Sequence, residues 1–316
     1  MKKYRAKPLS PQGLKTYSLH SRKSKVDIKN FAKVFAPDPS FNQFIKSLPD
    51  FLAAKEFKEF LFLMKQAKKT EKAIIFALGA HLIKVGLSPI LIDLMKEGWV
   101  SALALTGSFL IHDFEIAFSG QTSEDVAAMI RRGQFGMAEE TGEMLNSAIN
   151  RGAKEDLGLG EAVGRMLAES HFPHKNLSLL ATSYSLNIPT TVHVALGTDT
   201  IHFHPKVSGE ALGKTSLKDF FLFSSLLKGL EGGGVFLNIG SAVILPEVFL
   251  KALSFVRNKF GSLENFSTAV FDFIHHYRPY QNVVRRPVGK KGRGFYFIGH
   301  HEIMIPLLAA GLKSAD

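Results

Sequence analysis

The stretch Ala73-Ile74-Ile75-Phe76-Ala77-Leu78-Gly79 decides the fold. It is a short, continuous apolar run that ends in glycine, as is typical of a parallel strand buried on both faces. Similar apolar runs recur along the chain at residues 100–105, 191–196, 234–239, 267–271 and 294–298. Helical patterns separate most of these runs, and all but residues 267–271 are followed by a turn that contains glycine. Strands that alternate with helices predict βαβ crossovers and a mostly parallel sheet.

This pattern predicts an α/β protein with a Rossmann-like sheet and helices on both of its faces. Before the first strand, residues 41–69 carry apolar side chains at helical spacing, broken once at Pro49, which predicts two amphipathic helices. Residues 115–185 are predicted to form a largely helical insertion. We therefore expect a basic arm over residues 1–40 and a single domain over residues 41–316.

The charge of the chain is concentrated at its N-terminus. The net charge is +11, but ten of the 39 basic residues and only one of the 28 acidic residues lie in residues 1–35. The remaining chain is therefore nearly neutral. A basic arm on a neutral body favours a subunit or anion contact, and a nucleic-acid partner is less favoured. The absence of cysteine from the sequence excludes disulfides and thiol chemistry.

Hydropathy points away from a membrane. No stretch approaches the roughly 18 uninterrupted apolar residues that a spanning helix needs. The basic N-terminus is not followed by the apolar segment of a secretory signal. A cytoplasmic protein with no membrane partner is the expectation.

The predicted functional edge lies at the carboxyl ends of the strands, where ligands bind in open parallel sheets. Small and polar residues follow the predicted strands there: Gly79-Ala80-His81, Thr106-Gly107-Ser108, Gly240-Ser241 and Gly299-His300-His301. Glycine allows a phosphate to approach the backbone, and hydroxyl groups can hydrogen-bond to it. The set predicts a nucleotide-type ligand, although the G-x-G-x-x-G and G-x-x-x-x-G-K-[ST] fingerprints are absent. Asp199, after the 191–196 run, could bind a ribose hydroxyl or a substrate amine.

Twelve histidines raise three readings that the sequence leaves open. His202 and His204, completed by Asp199 or His301, could hold a metal, but no standard metal-ligand spacing occurs and we expect none. One or two histidines could transfer protons. The others could be structural. Asp113 and Glu115 are a weaker candidate pair of catalytic carboxylates, since acidic residues near the start of a helix are explained by its dipole.

The order of these strand-end motifs resembles the deoxyhypusine synthase family over about residues 76–312. The family's A-L-T-D-G-S motif is similar to Ala195-Leu196-Gly197-Thr198-Asp199-Thr200, and its glycine triplet to Ile239-Gly240-Ser241. Further matches, in order, are Gly79-Ala80-His81-Leu82-Ile83, Thr106-Gly107-Ser108, Phe271-Asp272 with Arg278-Pro279, and Pro306-Leu307-Leu308.

The resemblance implies a NAD-dependent enzyme that moves an aminoalkyl group from a polyamine, as a homotetramer with sites at its subunit interfaces. NAD would then contact the strand-end residues, namely Gly79, Ala80, His81, Thr106, Gly107, Ser108, Gly240, Ser241 and His300. Polar residues of the same edge would bind the amine or move protons, namely Asp199, Asp272, His112, His275 and His301.

The chain departs from the family at the residues that handle the polyamine. The family's catalytic lysine segment, W-G-K, falls on Arg285-Arg286-Pro287, so that lysine is missing. Lys290 or Lys291 could replace it only if their loop shifts. That loop, residues 289–294, is predicted to be a solvated turn or a lid over an anion. The family's K-H-H motif is replaced by Ile244-Leu245-Pro246.

Two alternatives remain from the sequence. The same scaffold could work without NAD, using the histidines as a metal or acid–base site on another small molecule. The basic arm could instead make the chain a binding protein for nucleic acid or another acidic partner.

Overall fold

The computed structural model describes residues 40–314 and contains six strands. They are β1 Ile74–Leu78, β2 Ala102–Thr106, β3 Thr190–His193, β4 Gly234–Ile239, β5 Phe266–Asp272 and β6 Gly294–Ile298. The first five helices are α1 Phe41–Ser47, α2 Leu52–Lys69, α3 His81–Lys84 and α4 Ser88–Lys96, all before β2, and α5 Gly107–Ser119, directly after it. The later helices are α6 Val126–Ile130, α7 Glu139–Lys154, α8 Leu159–Glu169, α9 Leu179–Ser185, α10 Gly209–Leu227, α11 Ile244–Phe260, α12 Tyr277–Pro279 and α13 His301–Lys313.

The strands form one parallel sheet in the order β3-β2-β1-β4-β5-β6. The predicted Rossmann-like α/β fold is therefore confirmed. This order has its switch point between β1 and β4, because the chain leaves β1 toward one side and later returns to the other side. Since all strands run in parallel, their carboxyl ends share one edge, and every strand-end motif lies along it.

Buried side chains alternate between the two faces of the sheet. On β1, Phe76 and Leu78 join the core beneath α2, α5 and α13, whereas Ile75 and Ala77 join the core beneath α10 and α11. Phe60 of α2 is fully buried, and its ring centroid lies 5.5 Å from that of Phe295. Burial of each such ring contributes about 2–3 kcal/mol, which explains the large use of phenylalanine.

Strand β3 is shorter than predicted. The apolar run over residues 191–196 predicts a strand to Leu196, but β3 ends at His193 and Leu196 is exposed. β3 is an edge strand and pairs only with β2, whose last paired residue is Thr106. Helix α5 begins at the next residue, so residues 194–196 have no neighbouring strand to bond.

The free edge of β3 is covered by a side chain. Asp219 of α10 accepts hydrogen bonds through Oδ2 from the backbone N–H groups of Val192, at 2.7 Å, and Gly160, at 2.9 Å. Asp219 is fully buried, and burial raises its pKa to about 7 despite these hydrogen bonds. It therefore joins the edge of the sheet to the start of α8.

Five helices, α5 to α9, lie between β2 and β3, and α6 to α9 fall within residues 115–185, the part predicted to be a helical insertion. The predicted arm falls outside the described residues, apart from Ser40, and the domain limits stay predictions. Within residues 40–314, no helix is both long and apolar enough to cross a membrane.

Candidate functional site

The switch point is closed by contact between two backbone turns. Gly79 follows β1 and Gly240 follows β4, and a Cβ atom on Gly79 would lie 2.0 Å from the carbonyl oxygen of Gly240. Gly240 itself has a φ of +67°, a conformation that glycine adopts readily. Close packing within the chain therefore requires both glycines, whether or not a ligand approaches them.

Three aromatic rings surround this contact. The ring centroid of His301 lies 5.4 Å from that of His81 and 5.9 Å from that of Phe273. His81 and Phe273 are exposed, whereas His301 is fully buried against Gly240. We call Gly79, His81, Gly240, Phe273 and His301 the switch cluster.

His301 has one ring nitrogen without a partner. Its Nε2 lies 3.2 Å from the carbonyl oxygen of Phe271, which can only accept, so the neutral ring carries its proton on Nε2. Nδ1 is then a buried acceptor with no hydrogen-bond donor. Burial lowers the pKa of His301, although the Phe271 carbonyl and Asp272 oppose this, which favours the neutral ring.

Other predicted site residues at the carboxyl edge have their polar groups close to other groups of the chain. Asp272 is buried at the end of β5, with Oδ2 3.7 Å from Nε2 of His276. The hydroxyl of Ser241 accepts from the N–H of Leu245 at 3.2 Å. Ala80 is half-buried and immediately precedes α3.

Two predicted histidines lie apart from the switch cluster. His275 is exposed, and its ring lies 4.6 Å from that of Tyr296 and 4.9 Å from that of Tyr280. His300 is exposed and has Nδ1 3.8 Å from a carboxylate oxygen of Glu302. In this structure neither ring contacts His301 or Asp199.

The second part of the edge is a concave pocket beside the ends of β2 and β3, with a volume of about 210 Å³. We call it the acidic pocket, because three carboxylates and one lysine are among its lining residues. It is lined by Lys84, Ser108, Ile111, His112, Glu115, Ser123, Glu124, Val126, Phe135, Thr198, Asp199 and Thr200.

Asp199 is the most buried carboxylate of the acidic pocket, with 6% of its surface exposed. Its Oδ2 has no hydrogen-bond partner and lies where a Cβ atom on Gly107 would be, 2.1 Å away. Gly107 begins α5, whose N-cap is Thr106, so the carboxylate lies at the positive end of that helix. Burial raises the pKa of Asp199 to about 6, and the nearby His112 opposes that rise.

His202 lies beside Asp199 but does not hydrogen-bond to its carboxylate Oδ2. His202 Nδ1 accepts from the N–H groups of Gly197, at 3.1 Å, and Asp199, at 3.3 Å, so the proton of the neutral ring is on Nε2. Nε2 is buried without a partner, 3.8 Å from Asp199 Oδ2. His204 packs against Gly142 instead. Within residues 40–314, no three histidine or acidic side chains come together as metal ligands would.

A chain of hydrogen bonds fixes His112. Its Nδ1 lies 2.6 Å from the hydroxyl of Thr122, and that hydroxyl donates to Oε2 of Glu115 at 2.5 Å. Thr141 donates to the other oxygen of Glu115 at 3.3 Å. Burial raises the pKa of Glu115, but the neighbouring His112 and the hydrogen bonds from Thr122 and Thr141 outweigh it, and the pKa is lowered. Glu115 is therefore an ionised acceptor.

Sequence reasoning missed Thr122, Lys84 and Glu124, and paired Glu115 with the wrong residue. Asp113 accepts from the hydroxyl of Ser178 at 2.6 Å and from the N–H of Leu179 at 2.8 Å, so it caps α9. Residues two apart on a helix point to nearly opposite sides, which argues against the pair. The same geometry places His112 and Glu115, three apart, on one face.

Lys290 and Lys291 lie at the other edge of the sheet. They precede β6, and the neighbouring Gly292 packs against the carbonyl of Phe266, which begins β5. Because the strands are parallel, this is the amino edge. The loop over residues 289–294 is therefore neither a lid over the acidic pocket of its own chain nor a source of a replacement lysine for that pocket. Lys84 is the lysine among the residues that line the pocket.

The switch cluster offers uncharged groups to a dinucleotide. Nδ1 of His301 and, nearby on β4, Oδ1 of Asn238 are unpartnered but buried, so the hydroxyl or amide donors of such a ligand would reach them only after the side chains packed over them moved. At the start of α5, by contrast, Asp199 opposes a phosphate. A ribose hydroxyl or an ammonium group fits that position better.

Comparison with solved structures shows the same fold at low sequence identity. A candidate deoxyhypusine synthase from Entamoeba histolytica aligns with a TM-score of 0.52 and 10% identity over 89% of this chain and 95% of its own. A conserved protein of Methanococcus maripaludis S2, assigned as a candidate LOR/SDH protein, aligns with a TM-score of 0.51 and 14% identity over 89% of this chain and 72% of its own.

A third similar structure is ArgZ, an arginine dihydrolase from the ornithine–ammonia cycle in cyanobacteria. It aligns with a TM-score of 0.50 and 15% identity over 81% of this chain, which spans only 31% of the ArgZ chain. No protein-family model and no curated protein matches the sequence. At these identities the likeness extends to the fold alone.

Proposed function

We propose that this chain is a NAD-dependent enzyme, similar to deoxyhypusine synthases, that oxidises or transfers an aminoalkyl group of a polyamine-like amine. One observation carries the proposal: a pocket with three carboxylates lies at the carboxyl edge, beside the switch point of a Rossmann-like sheet. Dinucleotides bind at such switch points. The excess of carboxylates favours a cationic ligand in the pocket next to it.

The residues divide between the two ligands. Gly79, Ala80, His81, Gly240, Ser241 and His300 would surround the cofactor, with His301 Nδ1 accepting from one of its hydroxyl or amide groups. Thr106, Gly107 and Ser108 would contact its ribose. The chemistry that NAD would supply here is acceptance of a hydride from the carbon that carries the amino group.

The acidic pocket would hold the amine. Asp199 and Glu124 would attract its ammonium group, and His112 would take a proton from it. Asp272 and His275 stay secondary candidates on the side of β5. Transfer through an imine needs a lysine amine at the site, and Lys84 is the side chain that the pocket lining offers for it.

A subunit contact near this edge is part of the proposal. Large apolar side chains are exposed around the ends of β4, β5 and β6, namely Val243, Phe273, Ile274, Ile298 and Ile303. Exposed apolar patches of this kind commonly mark interfaces. We expect a homotetramer, which a mass measurement by light scattering of the purified full-length chain would test.

Calorimetric titration of NAD into the full-length protein tests the cofactor. We expect saturable heat with the native protein and about tenfold weaker binding by His301→Ala, the equivalent of one lost hydrogen bond of about 1.4 kcal/mol. His204→Ala, which alters a histidine packed on Gly142, is the matched control and should bind normally. The absence of heat with folded native protein would contradict NAD dependence.

A NAD-independent acid–base enzyme is the second candidate. The chain from His112 through Thr122 to Glu115 begins and ends at residues that line the pocket and involves no residue of the switch cluster. If NAD does not bind, turnover of a small amine or other cationic substrate that His112→Gln abolishes would favour this candidate.

A further inference from the structure

Among the titratable groups of the acidic pocket, His112 and Glu115 are joined through a single hydroxyl, that of Thr122. The hydroxyl of Thr122 lies between His112 Nδ1 and Glu115 Oε2 and is hydrogen-bonded to both. It has a single hydrogen, so it can donate to only one of them. Oε2 of Glu115 is 2.5 Å away and can only accept when ionised, so the hydroxyl hydrogen goes to Glu115. The same oxygen must then accept from His112 Nδ1, 2.6 Å away.

We infer that Thr122 and Glu115 are positioning residues that hold the neutral His112 ring in its Nδ1–H form, so that Nε2 is the proton acceptor of the acidic pocket. The inference rests on the proposed function only for the identity of the substrate, since the hydrogen-bonded chain does not involve NAD. Histidine orientation by a carboxylate is the logic of hydrolase triads, with a hydroxyl inserted here between the two groups.

The chemical step assigned to His112 is a single proton transfer. An N–H or O–H bond of the substrate breaks, its electron pair stays on the substrate atom, and the proton forms a bond to His112 Nε2. The imidazolium that results keeps its Nδ1–H bond to Thr122. Glu115 then stabilises the positive charge through the hydroxyl, at a distance of 3.6 Å from Nδ1 to Oε2.

Thr122 comes from a segment that covers the pocket rather than from the sheet or α5. We call residues 120–138 the covering segment. Most of its residues are exposed, and Ser123, Glu124, Val126 and Phe135 line the pocket. Glu124 accepts from the N–H of Gly136 at 2.7 Å, which joins the two ends of the segment. Thr122 can therefore hold His112 in the Nδ1–H form only when the covering segment lies over the pocket.

Nitrogen-15 spectra of the histidine rings test the inference on the full-length protein without any ligand. Long-range proton–nitrogen correlations distinguish the two neutral forms, and His112→Gln identifies the signals of His112 by their loss. We expect the Nδ1–H pattern in the native protein, its loss in Thr122→Val, and its recovery in Thr122→Ser, which keeps the hydroxyl.

Thr141→Val is the matched control, because it removes the other hydrogen bond to Glu115 and leaves the chain to His112 intact. It should keep the native pattern. An Nε2–H form in the native protein, or an unchanged Nδ1–H pattern in a folded Thr122→Val variant, would overturn the inference. Neither result depends on whether NAD binds, so this test and the NAD titration fail separately.

Discussion

The two halves of the carboxyl edge are built in opposite ways. The switch cluster is sealed, with backbone against backbone at Gly79 and Gly240 and a neutral histidine packed on top. The acidic pocket is open, with a volume of about 210 Å³, and its polar groups include three carboxylates, one lysine and a hydrogen-bonded histidine. The difference favours different ligand groups in the two halves, namely uncharged hydrogen-bond donors at the switch cluster and a cation in the acidic pocket.

The sealed half should tolerate added atoms poorly. Gly79→Ala places a methyl group 2.0 Å from the carbonyl oxygen of Gly240, so backbone must move. We expect a loss of about 3 kcal/mol in the free energy of unfolding, measured by urea denaturation. Gly213→Ala, where no atom lies within 4 Å of the added carbon, is the control and should be neutral or stabilising. Equal stabilities of the two variants would mean that the turns are not in contact.

The open half should show its buried charge in the pH dependence of stability. The folded pKa of Asp199 is raised from 3.8 to about 6, so the folded state holds this proton more tightly than the unfolded state. Stability is therefore full below about pH 4 and falls as pH rises through about 6. Relative to Asp199→Asn, the native protein should lose about 2 kcal/mol between these limits.

Urea denaturation of both proteins from pH 4 to pH 7 measures this difference. A constant gap between native protein and Asp199→Asn over that range would show that Asp199 is solvated, and the contrast between the two halves would weaken.

The smallest expected effect is on the binding of a cation, which the carboxylates of the acidic pocket should attract more strongly than the switch cluster does. Glu124→Gln removes one exposed carboxylate from the acidic pocket, while the amide oxygen can still accept from Gly136. The affinity for spermidine, used as a cationic probe, should fall roughly twofold to fivefold by calorimetry. Glu302→Gln, on the side of the switch cluster, should leave it unchanged. Equal losses in the two variants would mean that spermidine binds through general surface charge.

Much of the architecture follows from short sequence patterns. The apolar runs at residues 234–239 and 294–298 coincide with β4, which is buried throughout, and with β6, an edge strand that is only partly buried. The run at residues 191–196 predicts a β3 that is too long. The strand stops where its neighbour β2 stops, although the apolar residues continue beyond that point.

The site is harder to predict, because its residues meet through tertiary packing. That parallel strands share an edge was enough to place Asp199, His112 and His301 at one end of the sheet. It could not show that Asp199 approaches Gly107 or that His301 packs on Gly240. Thr122 carries no pattern of its own, since it lies ten residues beyond His112 in a polar segment. The position of Lys290 and Lys291 could have been predicted from the sequence. They precede a strand, and therefore lie at the amino edge of the sheet, opposite the site.

The carboxylate of Asp219 has a consequence for assembly. It accepts the hydrogen bond of Val192 that a seventh strand would otherwise accept, so the sheet ends with a side chain in place of a strand. A second copy of the chain, or an unfolded one, finds no free amide at that residue to extend the sheet. Growth by strand addition is thereby opposed at the β3 edge, and association of subunits is directed to other surfaces of the molecule.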